Sequence, residues 1–254
     1  MLCVDMEDAG DAGQQKVAAA GHENAEHTKH AVQLRPVHES WSHARFPASR
    51  ANNGGKLCHF VRHGQGTHNK LAEEIGHSAY QSPQVADARL TALGQQQAAA
   101  NQEYTATLAG VSVVFVSPLS RAVETALIAF ASTAERGVPF IANEDLREQI
   151  GRNYCDQRRS VTEVTKDFPQ VDFTQLRTEA DELWTPERES KASVAQRGHA
   201  FMSWLKKRPE KEVAVVCHSS FLLTLFNVVL KCDDTTLEQW FNTGELRSVW
   251  VAFP

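Results

Sequence analysis

Three short clusters carry most of the residues in this sequence that could do chemistry. They are Arg62-His63-Gly64-Gln65-Gly66-Thr67-His68-Asn69, Ser117-Pro118-Leu119-Ser120-Arg121 and His218-Ser219-Ser220. Each follows an apolar run, and together they supply two arginines, two histidines and a glycine-flexible loop. Guanidinium groups bind phosphate oxygens through paired, charge-assisted hydrogen bonds. A neutral imidazole can attack phosphorus and leave a covalent intermediate that water resolves. Arg62, Arg121 and a hydrogen-bonding His218 would stabilise the transferring PO3 group, and in such reactions positioning and electrostatics supply nearly all the catalysis. The chemistry these residue types suit is therefore phosphoryl transfer. Arginines can carry the phosphate charge without a metal, and no carboxylate cluster is spaced to hold one, so neither a metal nor a cofactor is expected.

The elements around the clusters must bring them together. The runs at 57–62, 111–116, 138–142, 212–217 and 246–253 read as strands, buried ones where they are continuously apolar. Between them, 91–108 (with Thr91 as N-cap), 120–133, 194–207 (stopped by Pro209) and 219–230 read as helices. Alternating strands and helices predict a three-layer α/β/α sandwich on a mostly parallel sheet. Open α/β sheets bind ligands beyond the carboxyl ends of their strands, which is where all three clusters fall. Between 147 and 191 the alternation fails. Arg152, Arg158, Arg159, Lys166 and Arg177 occur there with Tyr154, Phe168, Phe173 and Trp184. This stretch, about 149–190, reads as an inserted cap of short helices and loops at the active site.

The 254 residues, 42% hydrophobic, allow one sizeable α/β domain, placed at 56–254. A net charge of −5 gives no global attraction to nucleic acid or anionic membranes, and neither is expected as a partner. Five cysteines, an odd number with no CxxC pair, fit a reducing compartment better than a disulfide framework or a zinc site, and Cys217 reads as a buried strand thiol. The longest apolar stretch, 221–230, is about half of what a bilayer requires. The first charges are acidic, which argues against a signal or transit peptide, so a cytoplasmic protein is expected. Residues 1–55 keep no apolar period and end in Asn52-Asn53-Gly54-Gly55. They read as a loose extension, with room for a short packed piece at 32–41. Its histidines (His22, His27, His30, His38, His43) lack acidic or cysteine partners at ligand spacing and read as solvated. A chain lacking residues 1–50 is expected to fold.

Arg62-His63-Gly64 with Asn69 resembles the "RHG" signature of the histidine phosphatase superfamily, in its phosphoglycerate-mutase-like branch. Ser117-Pro118-Leu119-Ser120-Arg121-Ala122-Val123-Glu124-Thr125-Ala126 resembles its second-arginine motif, Val215-Val216-Cys217-His218-Ser219 its second-histidine motif and Leu146-Arg147-Glu148 its "LxE" acid element. All four occur in family order over about 57–253. The resemblance implies that His63 is the nucleophile and that Arg62, Arg121 and His218 bind phosphate, with Asn69, Gln65 and Ser219 completing the substrate pocket. It implies that Glu148 protonates the leaving oxygen and then activates water. Read from the residues alone, the support for Glu148 is modest: a solvated surface residue is the lesser alternative, with Glu144 and Asp145 nearby as other carboxylates. His68 divides evenly between a substrate contact and a surface histidine at a helix start.

The family includes mutases and phosphatases. The sequence has no Gly-Leu-Asn-Lys stretch of the mutase kind. Its Gln65-Gly66-Thr67-His68-Asn69 and Cys155-Asp156-Gln157-Arg158-Arg159-Ser160 are similar to phosphoglycerate-mutase-like proteins of plants, fungi and protists, mostly assigned as phosphatases. The expectation is a metal-independent phosphomonoester hydrolase acting on a small phosphorylated metabolite. A phosphomutase and a catalytically silent phosphate-binding module are the alternatives.

Overall fold

The run Lys56–Arg62, with Leu57, Cys58, Phe60 and Val61 at its apolar centre, is buried along its whole length, and the rest of the molecule is arranged around it. The computed structural model describes residues 30–34, as backbone, and residues 55–253. In chain order the strands are β1 His30–Leu34, β2 Lys56–Arg62, β3 Val114–Val116, β4 Phe140–Ala142, β5 Val171–Asp172, β6 Glu212–Cys217, β7 Leu230–Cys232 and β8 Leu246–Ala252. The central six run β5-β4-β3-β6-β2-β8. The first five are mutually parallel and β8 is antiparallel to β2. Beyond β8, β1 adds in parallel and β7 pairs antiparallel to β1.

The helices are α1 Thr67–Ile75, α2 Ala92–Ala99, α3 Gln102–Ala106, α4 Ser120–Ala129, α5 Ala131–Glu135, α6 Val161–Asp167, α7 Lys191–Lys207 and α8 Ser219–Thr224. Alternate strand residues point to opposite faces, and each face has its own core. Phe60, Phe115, Val213 and Val215 meet Phe201, Leu205, Phe221 and Phe226, so α7 and α8 cover one face. Val61, Val114, Val116 and Val216 meet Ala122, Val123, Ala126 and Phe130, so α4 covers the other. The α/β/α sandwich expected from the sequence is the observed architecture.

Several boundaries differ from the sequence reading, each for a local reason. The helix expected over 91–108 breaks at Asn101, whose Nδ2 donates to the carbonyls of Gln97 (3.2 Å) and Gly244 (2.9 Å). Thr91 does cap α2, accepting from Gly94 N at 3.0 Å. The helix expected over 219–230 widens into a π-turn at Leu225–Val229, where Asn227 donates to the Leu223 and Glu238 carbonyls, and Leu230 then enters β7. Within the stretch read as a cap, β5 pairs with β4, and Val164, Phe168 and Val171 join the second core. A two-residue strand and a seven-residue helix are too short to show a period in sequence. Inside the segment read as a loose extension, His30–Leu34 forms a sheet strand. The rest of that segment up to residue 54, with its other histidines and Cys3, lies outside the described residues. No described helix is long and apolar enough to cross a membrane.

Candidate active site

His63 is held by main-chain geometry. Its N–H donates to the Cys217 carbonyl (3.0 Å), carrying the β2–β6 ladder one residue past the strand end. The chain then turns at Gly64, whose N–H donates to Thr125 Oγ1 of α4 (3.0 Å). Here α2 touches the loop backbone to backbone. A Cβ on Gly64 would overlap the Gly94 carbonyl, and a Cβ on Gly94 would overlap the Gln65 carbonyl. Glycine at both positions permits the approach.

The His63 ring is fixed in one tautomer. Its Nδ1 lies 2.6 Å from the Gly64 carbonyl oxygen, which can only accept, so Nδ1 carries the proton and Nε2 presents a lone pair. Arg121 Nε donates to that Nε2 at 3.3 Å. Burial, then the guanidinium charges of Arg121 and Arg62, hold the His63 pKa well below the usual histidine range. A buried neutral imidazole whose Nε2 lone pair is met only by a long contact from Arg121, with two guanidinium charges nearby, is suited to nucleophilic attack on a phosphoryl group.

The clusters expected at the sheet edge do meet. His218, the residue before α8, places its ring 5.0 Å from the His63 ring, centroid to centroid. Its Nε2 lies 2.7 Å from Ser117 Oγ, while its buried Nδ1 has no hydrogen-bond partner. Burial, then Arg121 and His63, lower its pKa far below the usual value. Arg62 donates from Nη1 to the Phe241 carbonyl (2.7 Å), with its guanidinium 5.6 Å from the Trp240 ring centroid. Arg121 is held by the cap, donating from Nη1 to the Cys155 carbonyl (2.5 Å) and from Nη2 to Asp156 Oδ1 (2.8 Å). Asp156 Oδ2 in turn accepts from Arg188 (2.8 Å).

Other expected residues occupy less obvious places. Both Glu148 oxygens are engaged: Oε2 accepts from Ser219 Oγ and Ser220 N (3.1 Å each), and Oε1 from Phe221 N (3.1 Å) and Gln149 N (2.9 Å). Glu148 is thus buried at the start of α8, one residue past His218, and is not a solvated surface glutamate. Asn69 uses Oδ1 to accept from Gly66 N (3.0 Å), closing the turn into α1. Gln65, expected in the pocket, commits its amide within the loop, donating to Glu73 (3.0 Å) and accepting from Thr91 (2.7 Å). Three residues without an assigned role in the sequence reading enter the site: Ser117, Asp156 and His68. Ser117 and Asp156 stood in quoted motifs, but nothing in a linear pattern says which side chains their own would touch. A cleft of about 440 Å³ runs along the cap, lined by Glu144, Arg177, Glu187, Arg188, Glu189 and Arg197 among others. It does not include His63, and Arg188 links it to the site through Asp156.

Comparison with known proteins shows the family. The family model described as "Histidine phosphatase superfamily (branch 1)" matches residues 58–249. A phosphoglycerate mutase-like protein of Arabidopsis thaliana is 40% identical over 229 residues, covering 77% of this chain and 84% of that one. A Schizosaccharomyces pombe protein described as a probable phosphatase is 29% identical over 188 residues, covering 71% and 81%. Among solved structures, the α-ribazole phosphatase of Shigella flexneri superposes with a TM-score of 0.50 at 17% identity, over 76% of this chain and 89% of that one.

Proposed function

This chain belongs to the histidine phosphatase superfamily, branch 1, and from that premise we propose that it hydrolyses phosphate monoesters of small metabolites through a phosphohistidine on His63. The observation that carries the reading is the locked tautomer of His63, which presents the Nε2 lone pair beside two guanidinium groups. In the first step Nε2 bonds to phosphorus, the P–O bond to the leaving group breaks, and the leaving oxygen takes up a proton. In the second step water attacks phosphorus, the P–N bond breaks, and orthophosphate leaves as the water proton goes to a base. Arg62, Arg121 and His218 hold the phosphoryl oxygens throughout, and Arg121 gives up its contact with Nε2 when the phosphoryl group arrives. We assign the proton transfers to Glu148, which the residues following His218 hold at the start of α8. Asn69 shapes the loop, and Ser219 holds Glu148. The cap cleft, of mixed charge, suits the polar remainder of the substrate.

Names among the relatives include both mutase-like and phosphatase, so the fate of the phosphoryl group decides the reading. Rapid quenching with an aryl phosphate, in EDTA, is expected to trap acid-labile, base-stable phosphate on His63 and then release orthophosphate. Transfer back to an organic acceptor would make the protein a mutase. Binding without any phosphoenzyme would make it a silent module. Loss of turnover in EDTA, restored by Mg²⁺ or Zn²⁺, would contradict the role given to the arginines.

A further inference from the structure

His68 is the second residue of α1, and its ring is buried, only 4% exposed. It folds back over the phosphate loop, 5.7 Å from the His63 ring and 5.6 Å from the Tyr80 ring, centroid to centroid. Gly66 accounts for that placement. Its φ of −88° is open to any residue, so the backbone does not require glycine there. The space does: a Cβ on Gly66 would lie 2.5 Å from both Cε1 and Nδ1 of His68 and 3.5 Å from Arg121 Cδ. Gly66 leaves room for the His68 ring to lie against the loop, close to the Arg121 side chain.

The ring has no evident protein purpose there. Its Nδ1 is buried without a hydrogen-bond partner. Leaving a buried polar atom unpaired is costly, so such atoms in a folded protein call for a ligand or water. Among the described residues only two imidazole nitrogens are in this state, His68 Nδ1 and His218 Nδ1, and their rings flank His63. Neither can turn to His63, whose Nδ1 is taken by Gly64 and whose Nε2 is met by Arg121. An oxygen-bearing group carried on His63 would give both nitrogens a partner.

We propose that His68 is a fourth phosphate ligand beside Arg62, Arg121 and His218, its imidazole donating a hydrogen bond to a phosphoryl oxygen, and that Gly66 is glycine to admit that ring. The inference rests on the reading of the site as a phosphate pocket. Burial, then Arg121, His63 and Arg62, keep this imidazole neutral, so it contributes one N–H donor and no full charge.

Calorimetric binding of inorganic phosphate to the full chain tests the proposal without needing turnover. His68→Ala should weaken binding by about 10- to 100-fold, the scale of a hydrogen bond to a charged group, and lower kcat/KM for an aryl phosphate in parallel. His68→Asn keeps a side-chain N–H donor and should recover part of both losses. Gly66→Ala should reproduce the His68→Ala defect, and the double variant should lose nothing beyond either single one. Phosphate binding by His68→Ala within twofold of the parent overturns the proposal. So does independent addition of the two losses, or a His68→Asn variant that melts like the parent yet binds as weakly as His68→Ala. A parent that neither binds phosphate nor turns over removes the phosphate-pocket reading itself, and this inference with it.

Discussion

At the scale of single residues, His63 and Glu148 have separable tasks. His63→Ala should abolish phosphoenzyme and turnover together. Glu148→Gln leaves the nucleophile and the arginines in place. It should slow hydrolysis of alkyl phosphates, whose leaving group needs a proton, by about 10²–10⁴-fold. Aryl phosphates should lose much less in the first step, and phosphoenzyme should accumulate because water now lacks its base. The structure adds a competing task, since Glu148 accepts from two backbone N–H groups at the start of α8. Loss of a helix cap costs about 1 kcal/mol, so a lower melting temperature is expected either way. Equal losses for both ester types, with no trapped intermediate, would leave Glu148 a cap only. Residue types at strand ends made Arg62, His63, Arg121 and His218 legible in the sequence, because a parallel sheet brings such positions together whatever the details. His68 stayed undecided because its role depends on which way one ring turns. Gln65 stands in the same loop, yet its amide is committed to Glu73 and Thr91.

At the scale of elements, the cap does more than cover the sheet edge. The 3-10 turn Tyr154–Asp156 takes both outer nitrogens of Arg121, through the Cys155 carbonyl and the Asp156 carboxylate. Arg147 braces the same turn, donating to the Asp156 carbonyl (2.8 Å) and to Asp181 (2.7 Å). Arg121 and Asp156 are both almost wholly buried, so removing the carboxylate leaves a guanidinium charge uncompensated. Breaking one side of such a pair costs about 3–5 kcal/mol. Asp156→Ala should therefore melt well below the parent. Asp156→Asn, which keeps an acceptor, should be milder in stability yet still lower kcat/KM by about tenfold or more, because Arg121 is no longer held by charge. Arg188→Met, on the outer oxygen of Asp156, should have a smaller effect. Parent-like kcat/KM in Asp156→Asn would mean that Arg121 is oriented without the cap. The long strands and the main helices were readable from apolar period. The breaks at Asn101 and in the turn after α8 were not, because asparagine side chains reaching distant carbonyls decide them.

At the scale of the whole molecule, β1 is the only strand paired with β7 among the described residues and covers one edge of β8. Nothing in a five-residue run flanked by polar sequence announces such a strand. Deleting residues 1–29 should leave stability near the parent's. Deleting 1–50 should lower the melting temperature and promote association, because β8 becomes an open edge; equal melting curves would show that β1 adds nothing. A second global property follows from the site. His63, His68 and His218 all have pKa values lowered by burial first and by Arg121 next. Unfolding returns each toward about 6.5. Between that value and their lower folded values, the unfolded chain binds more protons than the folded one, so stability falls as pH drops below about 6.5. Above it their contribution is complete. Each site adds a slope of up to about 1.4 kcal/mol per pH unit, or about 4 kcal/mol for three. The carboxylates Asp181 and Glu189 have lowered pKa values, so their losses fall below this window, whereas Glu124 and Asp145, whose pKa values burial raises, take up protons in the folded state and offset part of the slope at its acid end. Urea unfolding from pH 7.5 to 5 should thus show steep destabilisation beginning near 6.5. His68→Asn should flatten that slope by about one third, having removed one of three proton-binding groups. An unchanged slope in His68→Asn would mean that the His68 ring is not the buried neutral group that the phosphate site requires.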